Sequence, residues 1–360
     1  EKQEKLVQLA RTIAVKIGST SALHDQNGTF PHEHFAFMRR KGYLHASVPI
    51  EYGGPGHGLT DLVLAQHEIG TGDGSTAVSI GMHHMVVGTE SESRRWPEEL
   101  RKRIFTEIVS DGALVNNIAS EPDLGSPRGG GRPATNLAPG RQGKWVLNGR
   151  KTWSTLAPEL SYAITFAAVE DGSGDIARIA QRMGSEGISI EETWDSMSMR
   201  ATGSHDIVFA NVMLDDADFV GRANPKNPAE ASPDGAAWFP LLLSAANLGI
   251  ATAARNYAID FAKSRKPTGA PSPISKIPYV REQVARMESV LLTAKRTLFS
   301  CAEEWEDFPN ERNALLPEVS ITKVNSIESA ITVTDLAMRI VGAVGLDRDR
   351  PLERYFRDVR

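Results

Sequence analysis

Two short segments concentrate the residues able to do ordered polar chemistry. Asn117-Ile118-Ala119-Ser120-Glu121-Pro122-Asp123-Leu124-Gly125-Ser126 starts as a strand and ends in a Pro/Gly turn, so its last amides and hydroxyls lack ladder partners. Asn148-Gly149-Arg150-Lys151-Thr152-Trp153-Ser154-Thr155 reads as a tight Asn-Gly turn feeding a strand whose alternate side chains include Trp153 and Thr155. Backbone amides, hydroxyls and one indole on two turn-linked strands would cradle a flat heteroaromatic ring with polar edges, and a flavin is such a ring. The same residues also suit plain turns and a core Trp, and from residue types alone both readings stand.

Other chemistries lack their spacing. The glycines at Gly53 to Gly58 and Gly70 to Gly74 do not form Gly-x-Gly-x-x-Gly, and Gly143-Lys144 is followed by Trp145 rather than Ser or Thr. There is no Gly-x-Ser-x-Gly elbow. His32, His34, His57, His67, His83 and His84 cluster in sequence but give no metal-ligand motif on one helix face. His83 and His84, being adjacent, point about 100° apart on a helix, which suits one for the interior and one for solvent or a cleft.

The elements that must position these segments follow from periodicity. Leu6, Leu9, Ile13 and Ile17 repeat at helical spacing, a helix follows Pro31, and another starts near Thr60. Gly70 to Gly74 is expected to break that helix before a small-residue helix from Ser75 to Gly88. Beyond Gly112 the period shortens to two or to buried runs: Ala113 to Ala119, Lys144 to Leu147, Tyr162 to Val169, Ile188 to Ile190 and Ile207 to Val212. Asn224 to Gly235 has linker composition. Three long amphipathic helices follow, one over about Trp238 to Lys263, one through Val280 to Trp305 and one through Val324 to Val341, the pattern of an antiparallel bundle. The expected domains are 1–112 (helical), 113–224 (β) and 225–360 (helical bundle).

Composition narrows the functional class. The 360 residues carry 40 Lys+Arg against 45 Asp+Glu, a mixed surface with no field for nucleic acid. The apolar runs are broken short of the ~20 residues that span a bilayer, so no membrane span is expected. The single Cys301 forbids an intrachain disulfide and fits a reducing, cytoplasmic setting, and no export signal is visible.

In this order the segments resemble the acyl-CoA dehydrogenase superfamily of FAD enzymes over nearly the whole chain. The likeness rests on Tyr52-Gly53-Gly54-Pro55-Gly56, Asp73-Gly74-Ser75, Ser120 to Ser126, Asn148 to Thr155, Met199-Arg200-Ala201-Thr202-Gly203-Ser204 with the strand after it, and Gly342 to Gly345 with Pro351-Leu352-Glu353-Arg354 and Arg357-Asp358. The resemblance implies an α+β fold with a helical N-terminal domain, a β-barrel-like middle domain and a C-terminal four-helix bundle, binding FAD. It implies that Asn117, Ala119 and Ser120 border the flavin, that Gly125 and Ser126 lie by the pyrophosphate or substrate, that Trp153 packs on the ring, and that Thr155, next to Ser154, bonds near its reactive edge. Arg265 matches an Arg that reaches the FAD of a neighbouring subunit, which implies a homodimer or homotetramer. Pro267, Arg339 and Ala343 depart from the family pattern.

The resemblance implies oxidation of an acyl-CoA at its α,β bond, with electrons leaving to an acceptor protein. That reaction needs a carboxylate base. The family places it either in a loop that would follow Arg360 or near the start of the first bundle helix, where Trp238-Phe239-Pro240-Leu241 has no acid. A second branch, resembling dibenzothiophene monooxygenases, uses reduced flavin (FMN) from a reductase and needs no such Glu; Asn117, three residues before Ser120-Glu121, fits it. His84 is a candidate proton donor on the helix expected to flank the substrate, and packing is the competing reading.

Overall fold

The computed structural model describes residues 1–123, 131–225 and 232–360. Six helices open the chain: α1 (Lys2–Gly18), α2 (Ser21–Asn27), α3 (His32–Arg40), α4 (Leu59–Gly72), α5 (Gly74–Ser93) and α6 (Glu98–Asp111). α1 buries Leu6, Ala10, Ile13, Ala14 and Ile17, the stripe its spacing predicts. The break expected within Gly70 to Gly74 falls at Asp73, whose extended backbone (φ −158°, ψ 122°) separates two helices. α4 runs to Gly72, Asp73 accepts a hydrogen bond from Thr76 N as N-cap, and α5 starts at Gly74. The glycines of this segment also serve close packing: a Cβ on Gly70 would sit 2.6 Å from the Ala246 carbonyl, and one on Gly72 would overlap the Ala14 carbonyl. α6 did not stand out in the sequence; it ends at Gly112, whose φ of 67° closes the helix in the left-handed region.

Among the described residues eight strands follow: β1 (Val115–Ile118), β2 (Asn136–Pro139), β3 (Trp145–Lys151), β4 (Tyr162–Val169), β5 (Ile176–Arg182), β6 (Ile188–Glu191), β7 (Asp206–Leu214) and β8 (Phe219–Ala223). Their order is β6-β7-β3-β2-β4-β5-β8. β1 and β2 lie end to end along β4, β1 parallel to Tyr162–Thr165 and β2 parallel to Ala168–Val169. The Asn148-Gly149 pair is not a hairpin turn. It lies inside β3, where the register against β7 shifts between Leu147 and Gly149, and a Cβ on Gly149 would come 2.6 Å from Thr135 Cα.

The bundle comprises α7 (Trp238–Ser264), α8 (Pro278–Asp307) and α9 (Arg312–Val341), with the short α10 (Pro351–Asp358) as its fourth member. α7 is buried nearly all round among α4, α5 and α9. α9 lies in a segment, Pro309–Leu346, apolar and long enough by composition to cross a membrane, but Val319, Ala330, Val333, Leu336 and Ala337 are buried and the helix packs on α7 and α8.

Candidate functional site

The site forms where the chain leaves β1 and β3. These strands are not neighbours in the sheet, yet their exits are laced together: Thr152 N donates to the Ser120 carbonyl (3.0 Å), and Asn116 Nδ2 donates to the Thr155 carbonyl (2.9 Å). Beneath them lies a buried ion pair that sequence reasoning passed over. Lys151 Nζ, fully buried, meets Glu121 Oε1 at 2.6 Å, and the same carboxylate accepts the amides of Ala134 (2.7 Å) and Thr135 (3.1 Å). Burial raises the Glu121 pKa, but Lys151 and the amide and hydroxyl donors outweigh it and hold the carboxyl below its usual range. Burial dominates at Lys151 and lowers its pKa, with Glu121 opposing. The signal that could have revealed this pair is a Glu and a Lys set at the mouths of two strands that share one site.

A third wall comes from residues 194–205. Leu156 N donates to the Thr202 carbonyl (3.1 Å) and Ser154 N to the His205 carbonyl (3.1 Å). A hydroxyl chain runs from Thr155 Oγ1 to Ser204 Oγ (2.9 Å) and on to Thr202 Oγ1 (2.7 Å). Trp194, also missed in the sequence, stands edge-on to Trp153 with centroids 5.2 Å apart, and its Nε1 donates to the Met199 carbonyl (3.0 Å).

The structure thus brings together Asn117, Ala119, Ser120, Trp153, Ser154 and Thr155. Trp153 is 66% exposed, on a backbone with φ 57°. Ser154 is buried, and its hydroxyl has no hydrogen-bond partner. Asn117 is half-buried; its Nδ2 lies 3.9 Å from Met85 Sδ on α5. Gly125 and Ser126 lie outside the described residues. Arg265 is exposed at the C-cap of α7, about 40 Å along that 27-residue helix from Trp238.

His84 does not face an open cleft. It is fully buried, its Nδ1 is 3.0 Å from Ser47 Oγ, its ring packs edge-on to Tyr43, and burial first, then neighbouring imidazoles, depress its pKa well below the ordinary value. One of the pair is expected to reach solvent or a cleft, but His83 is equally buried. Its Nε2–H donates to the Leu44 carbonyl (2.7 Å) and its Nδ1 accepts from Val115 N (3.1 Å), which fastens α5 to β1.

Further along α5, a cavity of about 230 Å³ is lined by Ser47, Gly88, Glu92, Trp238, Trp305 and Arg312, among others. Glu92 accepts from Trp238 Nε1 (2.8 Å) and Trp305 Nε1 (2.9 Å) and pairs with Arg312; burial still raises its pKa. Trp238 lies directly on Gly88, where a Cβ would overlap its ring.

An exposed indole, a buried unpaired hydroxyl and edge hydroxyls meet at the mouths of two laced strands, on a sheet set between helices and a bundle, and the class of protein follows from the chain's relatives: an oxidoreductase flavoprotein. The chain matches the acyl-CoA dehydrogenase N-terminal domain over residues 1–111, the middle domain over 117–212 and the C-terminal domain over 241–360. It is 39% identical over 360 residues to a putative acyl-CoA dehydrogenase, YdbM, of Bacillus subtilis (strain 168), covering 100% of this chain and 92% of that one. Its fold matches butyryl-CoA dehydrogenase from Megasphaera elsdenii (TM-score 0.87, 21% identity, covering 100% of this chain and 92% of that one). It also matches FMN-bound TdsC from Paenibacillus sp. A11-2 (TM-score 0.88, 21% identity, covering 99% and 92%). The chain belongs to the acyl-CoA dehydrogenase family, a family of FAD flavoenzymes.

Proposed function

We propose that the protein binds FAD at the mouths of β1 and β3 and oxidises an acyl-CoA thioester at its α,β bond. The observation that carries this reading is Trp153, exposed on a left-handed backbone beside the unpaired Ser154 hydroxyl and the Thr155–Ser204 pair. A flavin bound there would take up the hydride that leaves the β-carbon while the α-proton goes to a base. Trp153 would cover one face of the ring, Ser154 and Thr155 would donate to its polar edge, and Asn117, Ala119 and Ser120 would border it. The Glu121–Lys151 pair would hold both strand mouths in place from below. Gly125 and Ser126 remain assigned to the pyrophosphate or substrate side, and Arg265 to the FAD of a neighbouring subunit in a dimer or tetramer.

The substrate tail would follow α5. Met85 meets Asn117, and Glu92, seven residues on, lines the cavity about 10 Å further along the helix. Neither carboxylate beside the site serves as base. Glu121 is committed to Lys151, and Asp206 to Arg150 (2.6 Å), Thr152 (2.7 Å) and Thr193 (2.9 Å). At Asp206 burial raises the pKa, but these partners outweigh it and lower it, leaving a weak base.

The second reading is a monooxygenase that takes reduced flavin from a reductase. It is favoured by Asn117, whose amide has only the Met85 sulfur as partner among the described residues. One experiment separates the two. Protein reconstituted with FAD and mixed anaerobically with a panel of acyl-CoAs should lose its flavin absorbance with at least one of them. Failure with every thioester, together with oxygen consumption by enzyme loaded with reduced flavin, selects the monooxygenase. A protein that takes up no flavin removes both.

A further inference from the structure

His24, Glu33 and His34 converge at the corner where α2 meets α3, although their spacing gives no motif. One ligand atom from each lies within 4.8 Å of the other two. His24 Nε2 is 2.6 Å from Glu33 Oε1, and His34 Nε2 is 3.8 Å from the same oxygen. We propose that this corner is a divalent transition-metal site of the zinc type, with His24 Nε2, His34 Nε2 and the Glu33 carboxylate as ligands.

The hydrogen bonds behind the imidazoles support the assignment. Thr76 Oγ1 donates to Asp73 Oδ2 (2.6 Å), so towards His34 Nδ1 (2.8 Å) it presents a lone pair. That places the His34 proton on Nδ1 and leaves Nε2 with its lone pair turned into the corner. His24 Nδ1 is held by Thr29 Oγ1 at 2.9 Å. Both rings therefore have the far nitrogen fixed by a threonine, the kind of outer support that orients metal-binding histidines.

The shape fits an ion with an open position. The two imidazoles are nearly enclosed, with side chains 12% and 2% exposed, while Glu33 is 50% exposed and gives a route in from solvent. Two His and one carboxylate with room for a water is an established zinc set, with metal–ligand bonds of about 2.0–2.2 Å. Bonds of that length need donor atoms about 3.3 Å apart, so Glu33 moves off His24 and towards His34 by less than about 1 Å, and the two imidazole nitrogens, within 4.8 Å of each other, close on the ion. Thr20 Oγ1, 2.7 Å from His34 Nε2, yields its place or becomes a further oxygen ligand.

The test is calorimetric titration of chelator-treated, tag-free protein with Zn²⁺, alongside Co²⁺ titration read by its visible ligand-field bands. The expected result is one saturable site per chain, with tetrahedral Co²⁺ bands displaced by Zn²⁺, and a melting temperature that rises with Zn²⁺. Glu33→Gln and His24→Asn should each weaken binding at least about tenfold, and Thr29→Val by about tenfold. His32→Ala, which removes an exposed imidazole paired with Glu159, should leave binding unchanged. No saturable binding, or equal binding by wild type and a His24→Asn protein whose metal-free melt is native-like, overturns the proposal.

Discussion

Trp153 holds a largely exposed indole on a backbone that costs a non-glycine residue about 1–3 kcal/mol, with its ring edge-on to that of Trp194. Such strain fits a surface built for a ligand. Trp153→Ala should weaken FAD binding at least about tenfold, in line with about 1–3 kcal/mol per stacked base on an aromatic ring, and leave the apo melting temperature nearly unchanged. Flavin titration by fluorescence checks this, and unchanged affinity removes the ring-packing assignment. The Glu121–Lys151 pair makes the opposite prediction, a stability effect. Lys151→Met strands a buried carboxylate and should cost about 3–5 kcal/mol in urea unfolding, while Glu121→Gln with Lys151→Met should recover much of that. The segments of this candidate site stood out through their resemblance to family motifs, since their residue types alone suit plain turns equally well. The ion pair was not, since nothing local in a Glu or a Lys says that it will be buried and paired 30 positions away.

At the scale of elements, periodicity found the long helices because one apolar stripe repeats over many turns, as in α1 and α8. It placed the break between α4 and α5 within Gly70 to Gly74 but not the packing role of Gly70, because a helix-breaking glycine and a close-packing glycine look alike until the partner helix is known. The partner is α7, whose Gly249 lies against Gly70 with its would-be Cβ 2.8 Å from Gly70 Cα and overlapping the His67 carbonyl. Two glycines facing each other let α4 and α7 approach backbone to backbone. Gly249→Ala should therefore destabilise by about 1–3 kcal/mol, although alanine favours a helix, and the loss should appear as a lower urea midpoint with an unchanged slope. A gain in stability would mean that the helices can move apart freely. The short strands β2 and β8 were illegible for another reason: four or five residues ending in Pro139 or Ala223 carry too little alternation to separate them from a loop.

Over the whole molecule, buried histidines contribute to the loss of stability in acid. Free imidazoles titrate near 6.5 in an unfolded chain. Burial, only partly offset by its bond to the Leu44 carbonyl, lowers His83 to about 4, burial lowers His67 to about 3, and His84 is depressed as well. Above pH 6.5 both folded and unfolded states hold these rings neutral. As pH falls from 6.5 towards 4 the unfolded chain takes up the protons first, so stability present above 6.5 is lost in that window. For His83 alone the full loss is about 3 kcal/mol. Asp358 acts the other way: burial raises its carboxyl to about 7, so between pH 7 and 4 the folded state gains a proton that the unfolded chain lacks. The wild-type curve therefore mixes opposing slopes, and a variant isolates the histidine. His83→Gln should be destabilised at pH 7, because it disturbs the tie between α5 and β1, but the gap to wild type should narrow as pH drops from 7 to 5. Urea midpoints at the two pH values measure this, and a gap that stays constant would mean that His83 does not titrate differently in the folded and unfolded chains.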